Sequence, residues 1–229
     1  EIITSFALTE PNSGSDAQSI STTARRKGDG YILNGTKRFI TNAPKADLFT
    51  VMACTAPRGK GSKHISAFLV PRDAPGLSVM PHDKKMGQQG SHTADVIFED
   101  CYIPAENLLG GVEGLGFKTA MKVLDRGRLH ISAVCCGLAE RLISEALTYA
   151  LDRQQFDQPL AEFQLVQAML ADSRTEASAA RALTLETARR YDLGENVSME
   201  AASSKYFASE MVGRVADRAV QIHGGAGYM

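Results

Sequence analysis

The residues best suited to chemistry lie near the start of the chain. From Phe6 to Asp16 the sequence reads FALTEPNSGSD, an apolar opening followed without a break by Thr9, Glu10, Pro11, Asn12, Ser13, Gly14, Ser15 and Asp16. A β-turn needs only about four residues, so the length of this polar run asks for another reason. Hydroxyls and exposed backbone N–H groups around a glycine can cradle a phosphate or hydrogen-bond a planar heteroaromatic ring. A polar surface loop that caps the next element has the same composition, and residue type alone does not separate the two. The Walker phosphate-binding pattern is absent, because no lysine follows Gly14.

Other reactive residue types show no arrangement for catalysis or metal binding. The histidines His64, His82, His92, His130 and His223 lack ligand spacing, so no metal site is expected. Cys54, Cys101, Cys135 and Cys136 form no Cys-x-x-Cys pair, and the adjacent two would face different sides of a helix. They read as small core or surface residues of a reducing compartment. The 229 residues carry a net charge of -1, which gives no reason to expect nucleic acid or an acidic membrane surface as a partner. With 44% hydrophobic and 22% charged residues, the composition is that of an ordinary soluble globular chain. No apolar run approaches the roughly 18 residues of a membrane span, and no signal-peptide pattern opens the chain. The chain starts without an initiator Met and stops at GGAGYM, so it reads as the interior of a longer polypeptide.

The elements that must position the polar run fall into two grammars. From Tyr31 to Pro104 the chain reads as strands: YILNGTKRFITN, DLFTVMACT, HISAFLVP, GLSVM and ADVIFEDCYIP, separated by Pro, Gly, Lys and Asp clusters. Asn34-Gly35 sits between two β-prone runs and predicts a hairpin turn. Strands without intervening helices favour an antiparallel meander or barrel over a βαβ sheet. After NLLGGVEGLG the period changes. Helices are expected over Phe117 to Arg153, Glu162 to Tyr191, and from Ser198 to the Gly224-Gly225 pair. Val166, Met169, Leu170, Ser173 and Ala177 recur at helical spacing and supply a buried stripe. The fold class is therefore α+β, an antiparallel barrel-like β domain followed by an up-down helical bundle. That order argues against a Rossmann-type dinucleotide site.

Five blocks, FALTEPNSGSD, NGTKRFITN, DRGR, RQQFDQPLAEFQ and QIHGGAGYM, together resemble the flavin-dependent acyl-CoA dehydrogenase family in order and spacing. That family has an N-terminal helical domain, a middle β domain and a C-terminal four-helix bundle. The resemblance makes residues 1–112 the middle domain and 113–229 an incomplete bundle, with the N-terminal helical domain missing from this chain. It implies FAD, with the isoalloxazine ring between the β domain and the bundle. Phe6, Leu8, Thr9 and Ser15 would lie along the ring and the adjoining pyrophosphate, and Ser15 would also touch the acyl-CoA. Phe39, Ile40 and Thr41 would border the flavin, Phe39 standing where relatives often carry Trp, which this chain lacks. Arg153, Gln155, Phe156 and Gln164 would reach the FAD of a neighbouring subunit, the Arg offering a planar fork to pyrophosphate. Gln221, Gly224 and Gly225 match the turn near the ADP portion, with His223 a packing or polar-contact residue. Asp125 and Arg128 match positions bordering the acyl-CoA, although an i, i+3 surface pair accounts for them equally well.

The resemblance further implies α,β-dehydrogenation of an acyl-CoA thioester to the trans-2-enoyl-CoA, a carboxylate taking the C2 proton while hydride leaves C3 for the flavin. The site must polarise the thioester carbonyl and raise the carboxylate's pKa by desolvation. Relatives place that Glu either beyond the Gly-Gly-x-Gly-Tyr turn or on the first bundle helix just before the Arg of DRGR. Here the second position is Gly127, so the base is expected C-terminal to Met229 and the 229 residues alone are expected to be inactive. Electrons would pass to an electron-transfer flavoprotein, in a homotetramer of the bacterial cytoplasm or mitochondrial matrix that serves fatty-acid β-oxidation or amino-acid catabolism. A flavin oxidase or monooxygenase of the same fold, or an inactive scaffold homologue, are the competing readings.

Overall fold

Alternating apolar residues in the first half build one curled sheet. A computed structural model of the protein describes residues 2–57 and 61–229, and the chain forms two units that meet in sequence at Met121 and Lys122. In the first unit, β1 (Thr4–Ala7), β2 (Thr23–Lys27), β3 (Gly30–Thr41), β4 (Leu48–Cys54), β5 (Ile65–Pro71), β6 (Leu77–Val79) and β7 (Thr93–Pro104) form a seven-stranded sheet. The order is β1-β4-β2-β3-β7-β6, with β5 paired to β4. Phe49, Val51 and Ala53 of β4 join Tyr31, Leu33, Phe68, Val70, Val96 and Phe98 in the main core. Met52, pointing the other way, packs with Leu8, Ile20, Ile65 and Ala67. Strand β4 is thus buried on both faces, which is why it reads as a nearly continuous apolar run.

Two strand expectations change. Asn34-Gly35 is not a hairpin turn: β3 runs through it as a single 12-residue strand along β7. Across the strands, Asn34 Nδ2 donates to Asp100 Oδ1 (3.1 Å) and Asp100 N donates to Asn34 Oδ1 (2.9 Å). Gly35 instead marks a bulge at which the β3–β7 register shifts, and a Cβ there would meet Thr22 Oγ1 at 2.5 Å. The turn lies earlier, at Gly28 (φ 61°) and Asp29, between β2 and β3. The sheet is also not wholly antiparallel, because β1 pairs with β4 in parallel. Both β1 and β2 precede the region read as strands. With burial confined to Ala24 and half-buried Thr23 in the sequence TARRK, β2 has almost no alternation to detect.

In the second unit the helical period is realised closely. α1 (Gly116–Asp152), which begins in the first unit, is followed by α2 (Gln164–Asp192), α3 (Ser198–His223) and the single turn α4 (Gly225–Tyr228). Cys135, Cys136, Ala139 and Ile143 of α1 pack against Ala177 and Ala180 of α2 and Ala208, Met211 and Val215 of α3. Val166, Met169 and Leu170 close a second cluster with Ala146, Ala150, Ala219 and Ile222. Buried Ser132, Ser173, Thr184 and Thr187 each donate to the carbonyl four residues back, at 2.7–2.8 Å, which satisfies their hydroxyls inside the bundle. Ser198 at the start of α3 donates to Asp125 near the start of α1, and His223 at its end stacks on Tyr149 at 4.5 Å. The helices therefore run up-down-up. Among the described residues no helix is long and apolar enough to cross a membrane.

Candidate functional site

The polar run folds as a loop from Leu8 to Thr22 that sorts its hydroxyls into two groups. Ser13 donates to Asp16 O (2.6 Å), Ser19 to Asp16 Oδ2, and Ser21 to Glu10 Oε2 (2.7 Å), so these shape the loop itself. Among the described residues the hydroxyls of Thr9, Ser15 and Thr41 find no such partner, and Ser15 and Thr41 are exposed. Phe6 is half-buried, whereas Leu8 (8% exposed) and Ile40 (2%) put their side chains into core clusters, leaving only backbone to face a ligand.

Loop and strand are joined by a buried ion pair that the sequence did not disclose. Lys37 Nζ lies 2.7 Å from Glu10 Oε1 and donates to Leu8 O at 3.1 Å. Glu10 also accepts from Ser21 N (2.6 Å) and Thr22 N (3.0 Å). Burial pushes the Glu10 carboxyl up, but the Lys37 charge and the donated hydrogen bonds outweigh it and hold the carboxyl at about 2. Burial pulls the Lys37 ammonium down, and the Glu10 charge opposes that. The next residue, Arg38, donates its N–H to Thr9 O (2.8 Å) and pairs with Asp95 (2.7 Å). Ser5 Oγ reaches Thr41 O at 2.7 Å. Phe6–Thr9 and Phe39–Thr41, far apart in sequence, are thereby brought side by side.

Phe39 is the most unusual residue of this region. It sits where the β3–β7 register shifts again, between Lys37 and Ile40, with φ 57° and 56% of its surface exposed. A left-handed conformation costs a bulky L-residue about 1–2 kcal/mol, and an exposed phenyl gains little burial to offset it. The Arg38 guanidinium lies over its ring, 4.7 Å from the centroid.

The second unit repeats the feature. Between α1 and α2, β8 (Gln154–Gln155) and β9 (Gln158–Pro159) form a small hairpin whose two turn residues, Phe156 (φ 54°) and Asp157 (φ 61°), are both left-handed. That is the geometry of a type I′ turn, usually given to Asn and Gly. Phe156 is 88% exposed, its ring edge-on to Phe163 at 6.2 Å. Arg153, Gln155 and Gln164 are exposed beside it. The α3 terminus belongs to the same end of the bundle, where Gln221 is exposed and Gly224 (φ 57°, ψ -131°) stops the helix. His223 Nδ1 bonds Ala219 O at 2.8 Å, a packing role.

Asp125 and Arg128 lie elsewhere. They pair with each other, Asp125 also accepts from Ser198, and a Cβ built on Gly127 between them meets nothing within 4 Å. Along α1 they stand roughly 36–41 Å from Asp152, at about 1.5 Å rise per residue.

These features fall within two matching family models, one describing the acyl-CoA dehydrogenase middle domain over residues 5–101 and the other the C-terminal domain over residues 114–229. The chain belongs to the acyl-CoA dehydrogenase family. Over 224 residues it is 45% identical to the mitochondrial short-chain specific acyl-CoA dehydrogenase of Homo sapiens, covering 98% of this chain and 54% of that one. It is also 45% identical over 224 residues to subunit CarC of the caffeyl-CoA reductase-Etf complex of Acetobacterium woodii, covering 98% and 59%. The structure of butyryl-CoA dehydrogenase from Megasphaera elsdenii matches with a TM-score of 0.96 at 41% identity, over 100% of this chain and 59% of that one. The chain thus spans 54–59% of the length of these relatives.

Within this acyl-CoA dehydrogenase frame, sequence reasoning passed over Lys37, Arg38 and Asp95. Lys37 stands in a strand that also carries Asn34, Thr36, Arg38 and Thr41, so its residue type gave no signal, and its inward direction depends on the Gly35 bulge.

Proposed function

We propose that the polypeptide containing these residues carries out FAD-dependent α,β-dehydrogenation of an acyl-CoA thioester, giving the trans-2-enoyl-CoA and passing electrons to an electron-transfer flavoprotein. The observation that carries this reading is the pair of exposed, left-handed phenylalanines, Phe39 and Phe156. Strained, solvent-facing aromatics persist where the surrounding structure holds them for a ligand, and a planar isoalloxazine or adenine ring is the ligand such faces suit. The uncommitted hydroxyls of Thr9, Ser15 and Thr41 supply the directional donors a flavin and its pyrophosphate require. The residues present therefore fit FAD.

When bound, FAD supplies the hydride acceptor. The chain's own residues bind, orient and exclude water. Phe39 and Phe6 form an apolar wall that keeps solvent from the reacting carbons. Thr9 and Thr41 hold the ring by hydroxyl and backbone, and Ser15 stands where pyrophosphate and acyl-CoA meet. Asp125 and Arg128 border the substrate. Their distance of roughly 36–41 Å from the hairpin supports assigning Arg153, Gln155, Phe156, Gln164, Gln221, Gly224 and Gly225 to the FAD of a neighbouring subunit in a homotetramer. Gly127 has no side chain to take the C2 proton, and by the family resemblance that role falls to a glutamate following the Gly-Gly-x-Gly-Tyr turn. The test is product analysis with an artificial electron acceptor. The full-length protein should convert a saturated acyl-CoA to a species two mass units lighter, with deuterium lost from C2. Hydrogen peroxide formation in air without acceptor would replace this reading with an oxidase.

A further inference from the structure

The catalytic reading gives no role to the most deeply buried ion pair of the described residues, Lys37 with Glu10, whose side chains are 0% and 3% exposed. Such a pair is a poor source of net stability, because desolvating two charges costs about what their attraction returns. Its position is more telling than its charge. Glu10 fastens the far end of the loop through Ser21 N, Ser21 Oγ and Thr22 N, while Lys37 fastens the near end through Leu8 O. Lys37 is also the last residue in register with β7 before the shift that carries Phe39, and Ile40, 2% exposed, is the first after it. Only Arg38 and Phe39 project between these two buried anchors, and the Arg38 N–H holds Thr9 O at 2.8 Å.

We infer that Glu10 and Lys37 are positioning residues for the cofactor face, clamping the Leu8–Thr9 backbone to the β3 bulge so that Thr9 and Phe39 meet one planar ligand together. This inference rests on the FAD reading above. A left-handed phenylalanine stays in place only while its neighbours over-determine it. With the lysine anchor gone, Phe39 can relax toward an ordinary extended conformation and the Thr9 carbonyl can turn away. Cofactor binding should then suffer out of proportion to stability.

The test uses the full-length protein stripped of FAD and titrated with it, following flavin fluorescence, the visible absorption band and thermal unfolding of the apoprotein. Glu10→Gln, Lys37→Met and the neutral double variant Glu10→Gln/Lys37→Met should each weaken FAD binding at least tenfold and displace the visible band. Glu113→Ala serves as control, since it removes the acceptor of the 2.7 Å bond from Tyr31 in the same unit without touching the loop. It should lower the unfolding temperature with FAD affinity and spectrum unchanged. Equal FAD affinity and spectra in wild type and the double variant would overturn the inference. Failure of the wild-type protein to bind FAD at all would instead overturn the functional reading. Hydrogen exchange on wild type gives an answer independent of whether the variants fold. The amides of Ser21, Thr22 and Arg38 should gain protection together when FAD is added, and unchanged exchange at all three would refute the clamp.

Discussion

Replacing Phe39 with Asn separates a residue kept for a ligand from one kept for the fold. Asn tolerates the left-handed region far better than Phe, so Phe39→Asn releases about 1 kcal/mol of the backbone cost. Against this, Phe39 is 56% exposed, so truncating its ring gives up about 1 kcal/mol of burial. Losing the Arg38 contact costs about 0.5 kcal/mol more. The sum is a stability change of less than about 1 kcal/mol, readable by urea unfolding of the apoprotein. For the cofactor every contribution has the same sign. Loss of an aromatic face costs about 0.5–1.5 kcal/mol beyond its area, and the buried area adds about 1 kcal/mol. FAD affinity should therefore fall roughly 10- to 50-fold, at about 1.4 kcal/mol per decade. A variant destabilised by more than about 2 kcal/mol that binds FAD like wild type would show Phe39 to be a structural residue.

The remaining predictions concern charge and space. Glu10 is held at about 2 against an ordinary 4.5, so its contribution is present above pH 4.5 and lost as the pH falls from there toward 2. On the order of 3 kcal/mol of stability should disappear over that window, and urea unfolding of Glu10→Gln/Lys37→Met should lack that acid-dependent component. Gly127→Ala, with open space at the Cβ, should raise stability by about 0.5–1 kcal/mol through helix propensity. Gly116→Ala, whose Cβ would run into the Ser66 carbonyl carbon, should lower it by about 1–3 kcal/mol; a lowered melting temperature for Gly127→Ala would contradict the first of these, and an unchanged or raised one for Gly116→Ala the second. Asp125→Asn breaks a partly exposed pair and should cost less than about 1 kcal/mol. If Asp125 borders the substrate, steady-state kinetics should show a raised KM, and an unchanged KM would assign the residue to packing alone.

What the sequence revealed follows from how local each cause is. The three long helices were legible because apolar residues such as Val166, Met169 and Leu170 recur at 3.6-residue spacing, and Gly224 marks a stop that needs a positive φ. Asn34-Gly35 misled because a strong local turn signal yielded to a long-range partner, β7, whose Asp100 takes both ends of the Asn34 amide. Strand β1 owes its place to a parallel neighbour more than 40 residues away (Thr4 with Leu48), which no local pattern announces. In the site, the polar loop stood out by composition, and the FITN segment only through the family resemblance. Lys37 did not, since its burial depends on a bulge upstream and a carboxylate 27 residues away. Nor does residue type foretell a left-handed Phe39 or Phe156, because phenylalanine is among the residues least expected there.

The central claim, a flavin site that oxidises acyl-CoA, is tested most directly by anaerobic titration of the full-length protein with acyl-CoAs of increasing chain length. The readout is the oxidised-flavin absorbance. The expected result is a yellow protein bleached by one chain-length class and by none of the free acids. A yellow protein that no acyl-CoA bleaches, or a colourless one that takes up no added FAD, would contradict it.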